Sequence, residues 1–575
     1  MRQNATSRLA GRRFCFPEVP NSLSLLWILV LVMVLVMVIY PSFVLLVNSV
    51  QAGGRLSLAN YALVLSRAET WKALRNTLQV SLLGTIFASV IGIGLAWVMA
   101  RSDVPCKRFF SSALIVPYLI PPFIGAIAWL YLLGPVGYLN KLYMAVSGSS
   151  EPVWSIYGAG GVILVMTLYG FPIPYMVNVG AFQRMNAALE QAAQICGAGT
   201  LRTLRDITLP LMLPSIAGST LLLFTSLMAN FGIPAVIGFP ARFYVLTTRI
   251  YATILNFDEH NNLQVASALS MLLVAVAGLA MLAQSAVLRR GSFQVVAGRH
   301  EQPCLVELGA ARRFVTAGLL VFTVLTTFAP VGAIVVTSLS RAYGLPPAPG
   351  NLTLRHYVTA FTALPAAQRA IVNSVLLSVG CATLVVLLSL IVSYYVVRQR
   401  VPGGTVLETL LTIPWAVPGT VVALAMILAW LRPVPVLGIR LYNTIWILLL
   451  AYVARFFVFG IRNIGASLHQ IDQVLEESAR ISGASPLRTI KDIIWPLVRP
   501  GVFAAWFLIV VPALTELTLS ALLWSTGNET VGVMVFSLHE EGKIPLSASL
   551  SVVIIIVVLI GNWIARLITR EEMGF

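Results

Sequence analysis

Along the whole chain, apolar runs of about twenty residues alternate with short breaks rich in charge, glycine or proline. Each run is long enough to cross a bilayer as a helix. Reading these windows against the breaks predicts twelve spans, near residues 24–48, 77–100, 110–134, 158–180, 211–237 and 264–287, then 314–338, 371–396, 406–431, 442–463, 497–525 and 548–568. The window at 211–237 is the most interrupted, by Pro214, Gly218, Gly232 and Pro234. Lipid offers no hydrogen bonds to a broken backbone, so such a helix belongs where it lines protein or a cavity. The expected architecture is an all-α, polytopic membrane protein.

The polar breaks carry a second pattern. LEQAAQICGAGTLRTLRDITLPLMLP, Leu189–Pro214, returns without a gap as LEESARISGASPLRTIKDIIWPLVRP, Leu475–Pro500. Leu189/Leu475, Glu190/Glu476, Ala193/Ala479, Gly197/Gly483, Ala198/Ala484, Arg202/Arg488, Asp206/Asp492 and Pro210/Pro496 coincide at an offset of 286 (475 − 189). Asn76-Thr77 and Asn373-Ser374 open the second and eighth spans, and Pro117 and Pro121 match Pro414 and Pro418, at an offset of 297 (414 − 117). The offset falls because the first half has a longer external loop around 134–157. Six spans per half is an even number, so the halves point the same way about a pseudo-two-fold axis along the membrane normal. Both motif copies then face the cytoplasm. The chain divides into a first half, 1–288, a polar and basic cytoplasmic linker, 289–313, and a second half, 314–575.

Composition agrees. The 575 residues are 58% hydrophobic and 10% charged, with a mean hydropathy of +0.88; a soluble chain carries about 25% charge. The net charge of +17 is clustered, at Arg2/Arg8/Arg12/Arg13, Arg101/Lys107/Arg108, Arg289/Arg290, Arg312/Arg313, Arg398/Arg400 and Arg566/Arg570. These clusters alternate with less basic loops, as cytoplasmic segments do. No aromatic-rich basic patch points to nucleic acid. The run Leu25–Val47 is longer than a signal-peptide core and lacks a clear cleavage site, so it reads as the first span, with both chain termini cytoplasmic. Cys15, Cys106, Cys196, Cys304 and Cys381 show no metal-ligand spacing and read as packing residues.

Each motif copy reads as a short helix, a Gly-Ala break, a basic stretch, and a proline suited to the first turn of the next helix. Leu189, Ala192, Ala193 and Cys196 share one side at helical spacing, as do Leu475, Ala479 and Ser482, giving a low-profile face that another protein can approach closely. The pattern Glu-x-x-Ala-x-x-x-Gly, with a hydrophobic–Pro pair about a dozen residues on, resembles the EAA loop of ABC importer permeases. That resemblance implies a type I importer-like permease of the bacterial cytoplasmic (inner) membrane. It implies coupling helices near 189–200 and 475–486 that dock on a cytoplasmic ATPase through Glu190, Ala193, Gly197 and Ala198, and through Glu476, Ala479, Gly483 and Ala484. Two such loops imply two ATPase copies, and the family implies a periplasmic or lipid-anchored solute-binding protein. The chain has no G-x-x-x-x-G-K-[ST] phosphate loop, so ATP is expected on partner subunits, with no cofactor and no enzymatic activity in this chain.

The layout, with NFGIPAVIG (Asn230–Gly238), YVLTTRIYA (Tyr244–Ala252) and TELTLSALL (Thr515–Leu523), is similar to the fused ferric-iron permeases. That layout is shared with 2-aminoethylphosphonate and thiamine permeases. Thr518 stands where the iron group usually carries proline.

Glu516 is an acid inside the eleventh span, and its symmetry mate at offset 286 is Asn230. An ionisable group at membrane depth is a candidate for the translocation path, and helix packing is the alternative. Asp258-Glu259-His260 and His539-Glu540-Glu541 precede the sixth and twelfth spans on the outer side. They read as binding-protein contacts or as solvated loops, with a hard-cation site as a third reading. His356 stands alone, while His300 and His469 read as solvated cytoplasmic surface. A gradient-driven secondary transporter would call for several intramembrane carboxylates, and only Glu516 is found. A membrane enzyme would call for a clustered catalytic constellation, and none is evident.

Overall fold

In the computed structural model, which describes residues 21–258, 261–290, 305–399, 401, 403–433 and 438–570, the described residues form eleven helices long and apolar enough to cross a membrane. A bent pair, Gly404–Ala416 with Gly419–Trp430, makes a twelfth span broken by 107°. Its counterpart in the first half is broken too, as Lys107–Leu119 and Pro122–Leu133. The prolines are the cause. Pro121 and Pro418 lack an N–H and push the residue before them to extended geometry, so Ile120 and Val417 leave the helix with ψ of 132° and 139°.

The fifth and eleventh spans differ from the expected windows at both ends. They begin inside the repeated motif and run Thr200–Met228 and Ile490–Leu514, then stop and resume as the short helices Gly232–Gly238 and Ser520–Leu523. The apolar stretch continues through each stop, so hydropathy alone joins what the backbone divides. The longer loop of the first half contains the helix Tyr138–Ser147. The side chain of buried Asn140 holds it by donating to the carbonyls of Gly134 and Trp154, both at 2.8 Å.

Four π-helical turns share one origin. Leu35–Ile39, Val324–Phe328, Leu204–Thr208 and Ile490–Ile494 each lie two residues before a proline: Pro41, Pro330, Pro210 and Pro496. Proline cannot donate to the carbonyl four residues back and its ring crowds that carbonyl; one wider turn relieves both. The four form two symmetry-related pairs.

The halves are interlocked. The first span of each half lies against the other half: Trp27 stacks on Tyr395 and Tyr40 packs on Trp430, while Phe322 meets Phe171 and Phe328 lies over Phe109. The buried core forms three clusters, and each draws residues from both halves. The described end of the linker is tied to the first half, where Val306 donates to the Arg101 carbonyl at 2.7 Å and Arg312 pairs with Asp103 at 3.7 Å.

Within each half the second span packs along the fourth. Close crossing needs one small residue at the contact, and the halves place it on opposite helices. In the first half Gly92 of span two meets Pro174, where an added Cβ would lie 2.8 Å from the ring. In the second, Gly460 of span four meets Ser389, the position matching Gly92. Small residues at helix crossings let backbones approach in a membrane.

The cysteine expectation is corrected. Cys381 is buried, but Cys106 and Cys196 are exposed; Cys106 caps a helix with φ of 56°, and Cys196 ends the helix Ala187–Ile195. Cys15 and Cys304 lie outside the described residues.

Gly92→Leu and Gly460→Leu should each lower stability by about 1–3 kcal/mol through overpacking, read as a lower melting temperature of the purified protein. Gly94→Ala, with nothing within 4 Å of the added carbon, should match or exceed wild type. Equal melting temperatures for all three would mean the crossing tolerates width.

Candidate functional site

Both motif copies fold alike. Asn186 and Asp472, again 286 apart, cap the helices Ala187–Ile195 and Gln473–Ile481 by accepting from the N–H of Ala188 at 2.8 Å and Val474 at 3.0 Å. Gly197 and Gly483 end them with φ of 85° and 82°. The N–H groups of Ala198 and Ala484 then reach back to the carbonyls of Ala193 and Ala479, at 2.9 and 3.0 Å. This is a left-handed C-terminal cap, and it explains the spacing from Ala to Gly to Ala. Nothing lies within 4 Å of a Cβ added at either glycine, so the requirement is for φ, not for space.

The motif glutamates turn inward. Glu190 and Glu476 are buried and pair with Arg101 and Arg398, at 3.5 and 2.8 Å. Arg101 ends the second span and Arg398 ends its counterpart, 297 residues on. Each arginine also donates from Nη2 to the carbonyl that closes the fourth span, Met185 at 3.2 Å and Ile471 at 2.9 Å. Thr208 donates to Glu190 at 2.6 Å, and Ile494 occupies its matching position. Basic residues that the sequence pattern assigns to cytoplasmic loops are here the buried anchors of the motif helices. Their outward faces carry an apolar tip: Ile195 and Ile481, 87% and 88% exposed, beside half-exposed Leu189 and Leu475. Sequence reasoning missed the isoleucines, although they coincide in the alignment of the two copies. Arg202–Asp206 and Arg488–Asp492 are exposed pairs one turn apart.

Asn230 and Glu516 do equivalent work at the breaks of the fifth and eleventh spans. Asn230 Oδ1 accepts from the N–H of Ile233 at 3.0 Å. Glu516 Oε2 accepts from Leu519 at 2.8 Å and Ser520 at 3.3 Å. Each caps the short helix that follows. Both breaks lie where the halves meet: Met228 packs with Val421, Leu424 and Ala425 of the second half, and Leu517 and Ala521 join the core of the first. The Asn-Thr and Asn-Ser pairs secure the chain beyond each break. Asn76 donates to the Tyr244 carbonyl and Asn373 to that of Glu529, while Thr77 and Ser374 accept from the N–H of Leu246 and Val531.

On the side opposite the motif helices, Asp258 is exposed, and Glu259 and His260 lie outside the described residues. Glu540 is exposed and Glu541 pairs with Lys543 at 2.8 Å. His539 is half-buried, with its ring 6.3 Å from that of Tyr131, and burial lowers its pKa to about 4. Among the described residues no cluster of His, Cys, Asp and Glu could hold a metal ion. His356 Nε2 lies 3.1 Å from the Ser340 carbonyl, His469 is exposed, and His300 lies outside the described residues.

Two interlocked six-span halves, each carrying a capped helix with an exposed isoleucine tip, are the architecture of a membrane transport subunit built on a repeat. The chain belongs to the binding-protein-dependent transport system inner membrane component family, whose model matches residues 88–291 and 385–571, more than half of the chain. It is 26% identical to the ferric transport system permease protein FbpB of Actinobacillus pleuropneumoniae over 92% of this chain and 76% of that one. It is 27% identical to the putative ferric transport system permease protein FbpB 1 of Haemophilus influenzae over 88% of this chain and 78% of that one. A putative 2-aminoethylphosphonate transport system permease protein, PhnV of Salmonella typhimurium, is 29% identical over 40% of this chain and 85% of its own length. The chain is a multi-pass permease subunit of an ABC importer.

Replacing Arg398 by Gln leaves Glu476 buried without its partner, which costs about 3–5 kcal/mol. The melting temperature should fall sharply, and Arg398→Gln/Glu476→Gln should recover much of it. A double variant as weak as the single would exclude the pair as the cause.

His539 gives a pH dependence. Its folded pKa is below the ordinary 6.5, so its contribution is full above pH 6.5 and is lost as pH falls from there toward 4. Between pH 7.5 and 5.0 the loss is about 2 kcal/mol. His539→Phe should narrow the difference in melting temperature between those pH values. An unchanged difference would show that the imidazole titrates normally.

Proposed function

We propose that this permease moves ferric iron, delivered by a separate binding protein and driven by two ATPase copies that dock on the helices at 187–195 and 473–481. The observation that carries the coupling is the matched pair of capped helices, each with an exposed isoleucine tip and a buried Glu–Arg anchor. An apolar tip on a polar face suits a groove on another protein. The small residues Ala193, Ala198, Ala479 and Ala484, with Gly197 and Gly483, keep the approach low. ATPase closure then pulls on the loop helix, and the buried ion pair passes the displacement to the second span.

The substrate follows two relatives that match most of this chain, both named for ferric transport. Binding-protein contact falls on Asp258, Glu259, His260, His539, Glu540 and Glu541, at the ends of the spans opposite the coupling helices. Asn230 and Glu516, at the two breaks between the halves, line the path. The coupling helices and both chain termini face the cytoplasm.

Uptake into proteoliposomes holding this chain, its ATPase and its binding protein tests the reading. ATP-dependent accumulation of ferric iron that requires all three parts supports it. Accumulation of 2-aminoethylphosphonate in place of iron overturns the substrate, and uptake by this chain alone on an ion gradient overturns the coupling. Gly483→Asp should insert normally but lower uptake at least tenfold, because a side chain is strained at φ of 82° and breaks the cap. Wild-type uptake by this variant would remove the second helix from the coupling.

A further inference from the structure

Arg455 lies inside the span Ile445–Gln470 and is partly accessible. Its Nη1 donates to the Val417 carbonyl, at 3.4 Å, where the ninth span breaks. Its guanidinium lies over the Trp415 ring, 5.3 Å from the centroid. Among the described residues no carboxylate comes within ion-pair distance, and Glu516 acts on it only through space. Gly419 leaves the room it occupies, since a Cβ there would stand 3.1 Å from Nη1 and 2.8 Å from Thr518 Cγ2. Thus the break of the ninth span, the break of the eleventh and one cation meet at a single place.

The first half builds the same place without charge. The counterparts of Arg455 and Trp415 are Tyr169 (455 − 286) and Tyr118 (415 − 297), whose rings pack 5.9 Å apart, and that of Glu516 is Asn230. The architecture of a broken span therefore does not need the arginine. A guanidinium at membrane depth is costly to keep, and its planar fork suits a carboxylate or phosphonate.

We propose that Arg455 is a specificity-determining residue of the translocation path and contacts an oxyanion group carried by the passing solute. The inference rests on the ABC-importer reading. It adds that a bare trivalent cation is repelled at this point. The oxyanion comes either from the solute itself, as in a phosphonate, or from a ligand that travels on ferric iron. Trp415 screens the guanidinium from the apolar side, and Glu516 balances its charge when the path is empty.

The test uses the full transporter in proteoliposomes, with Arg455→Cys in a chain whose other cysteines are replaced except buried Cys381. Ferric citrate and 2-aminoethylphosphonate are supplied separately. Uptake of the solute that wild type carries should fall at least tenfold in Arg455→Cys. Modification with 2-aminoethyl methanethiosulfonate, which returns a positive charge, should recover at least a third of it. The 2-sulfonatoethyl reagent should recover none, and Arg455→Lys should keep more uptake than Arg455→Met. The two wild-type arms tell a phosphonate from an iron-borne carboxylate. Wild-type rates in Arg455→Cys, or equal effects of the two reagents, would overturn the proposal. Labelling gives a readout that needs no solute: the thiol introduced by Arg455→Cys should react at least tenfold faster than that of Cys381 in one nucleotide state. Absence of reaction in every state overturns the assignment. If wild type carries neither solute while the introduced thiol reacts, the ferric reading fails and the path position stands.

Discussion

The arrangement depends on a buried carboxylate–guanidinium contact made twice. Glu190 with Arg101 and Glu476 with Arg398 join a loop helix to the end of the second span, and each arginine also holds the last carbonyl of the fourth. Three segments therefore end on one charge. A solvated pair in this position would be worth little and would yield under load. A desolvated one breaks only by exposing or stranding a charge, so it behaves as a joint rather than a contact. The loop helix cannot move without the second span, and the second span packs along the fourth. On the proposed coupling, a displacement applied at Ile195 or Ile481 would reach the body of a half by this route.

Such a displacement would meet broken spans where each half faces the other. Prolines divide the third and ninth spans, and the fifth and eleventh stop at polar residues that cap the next short helix. Irregular backbone at membrane depth persists only where protein or a cavity satisfies it, and here capping side chains do so. The interlocking of each first span with the opposite half ties the two bodies together. A nucleotide state on a docked partner can bias this equilibrium only through different contacts with the two arrangements. The loop helices are where such a difference would enter.

Much of this was legible in the sequence. Twelve apolar windows, the division into halves and the repeated loop all follow from patterns of hydropathy and identity. Two things were hidden for physical reasons. The first is direction: Glu190 sits in a polar loop and reads as exposed, yet its partner Arg101 lies 89 residues upstream (190 − 101) and looks like an orientation signal. Only folding brings the two together, and only then are both buried. The second is continuity: hydropathy averaged over a window stays high across Met228–Gly232 and Leu514–Leu519 despite Asn230 and Glu516, so it cannot register a stop that one capping side chain makes.

What duplication preserved also bears on how such chains should be compared. Gly92 against Pro174 and Ser389 against Gly460 are the same crossing, with the small residue moved to the other helix. At the broken spans Gly232 lies against Phe123, and Thr518, which matches Gly232, lies against Gly419, one position before the counterpart of Phe123, so the small residue again sits on the other segment. Position-by-position identity scores both as differences, although the distance between backbones, which is what membrane packing requires, is maintained. The loop motif keeps its residues because φ at Gly197 and Gly483, and charge at Glu190 and Glu476, have no equivalent substitute. Arg455 fits neither case. Its counterpart Tyr169 preserves no charge, and the carboxylate of Glu516 is likewise replaced by the neutral Asn230. Both charges stand in one half and both are neutral in the other, at the place where the two breaks of a half converge, and this joint difference is what the specificity proposal for Arg455 addresses.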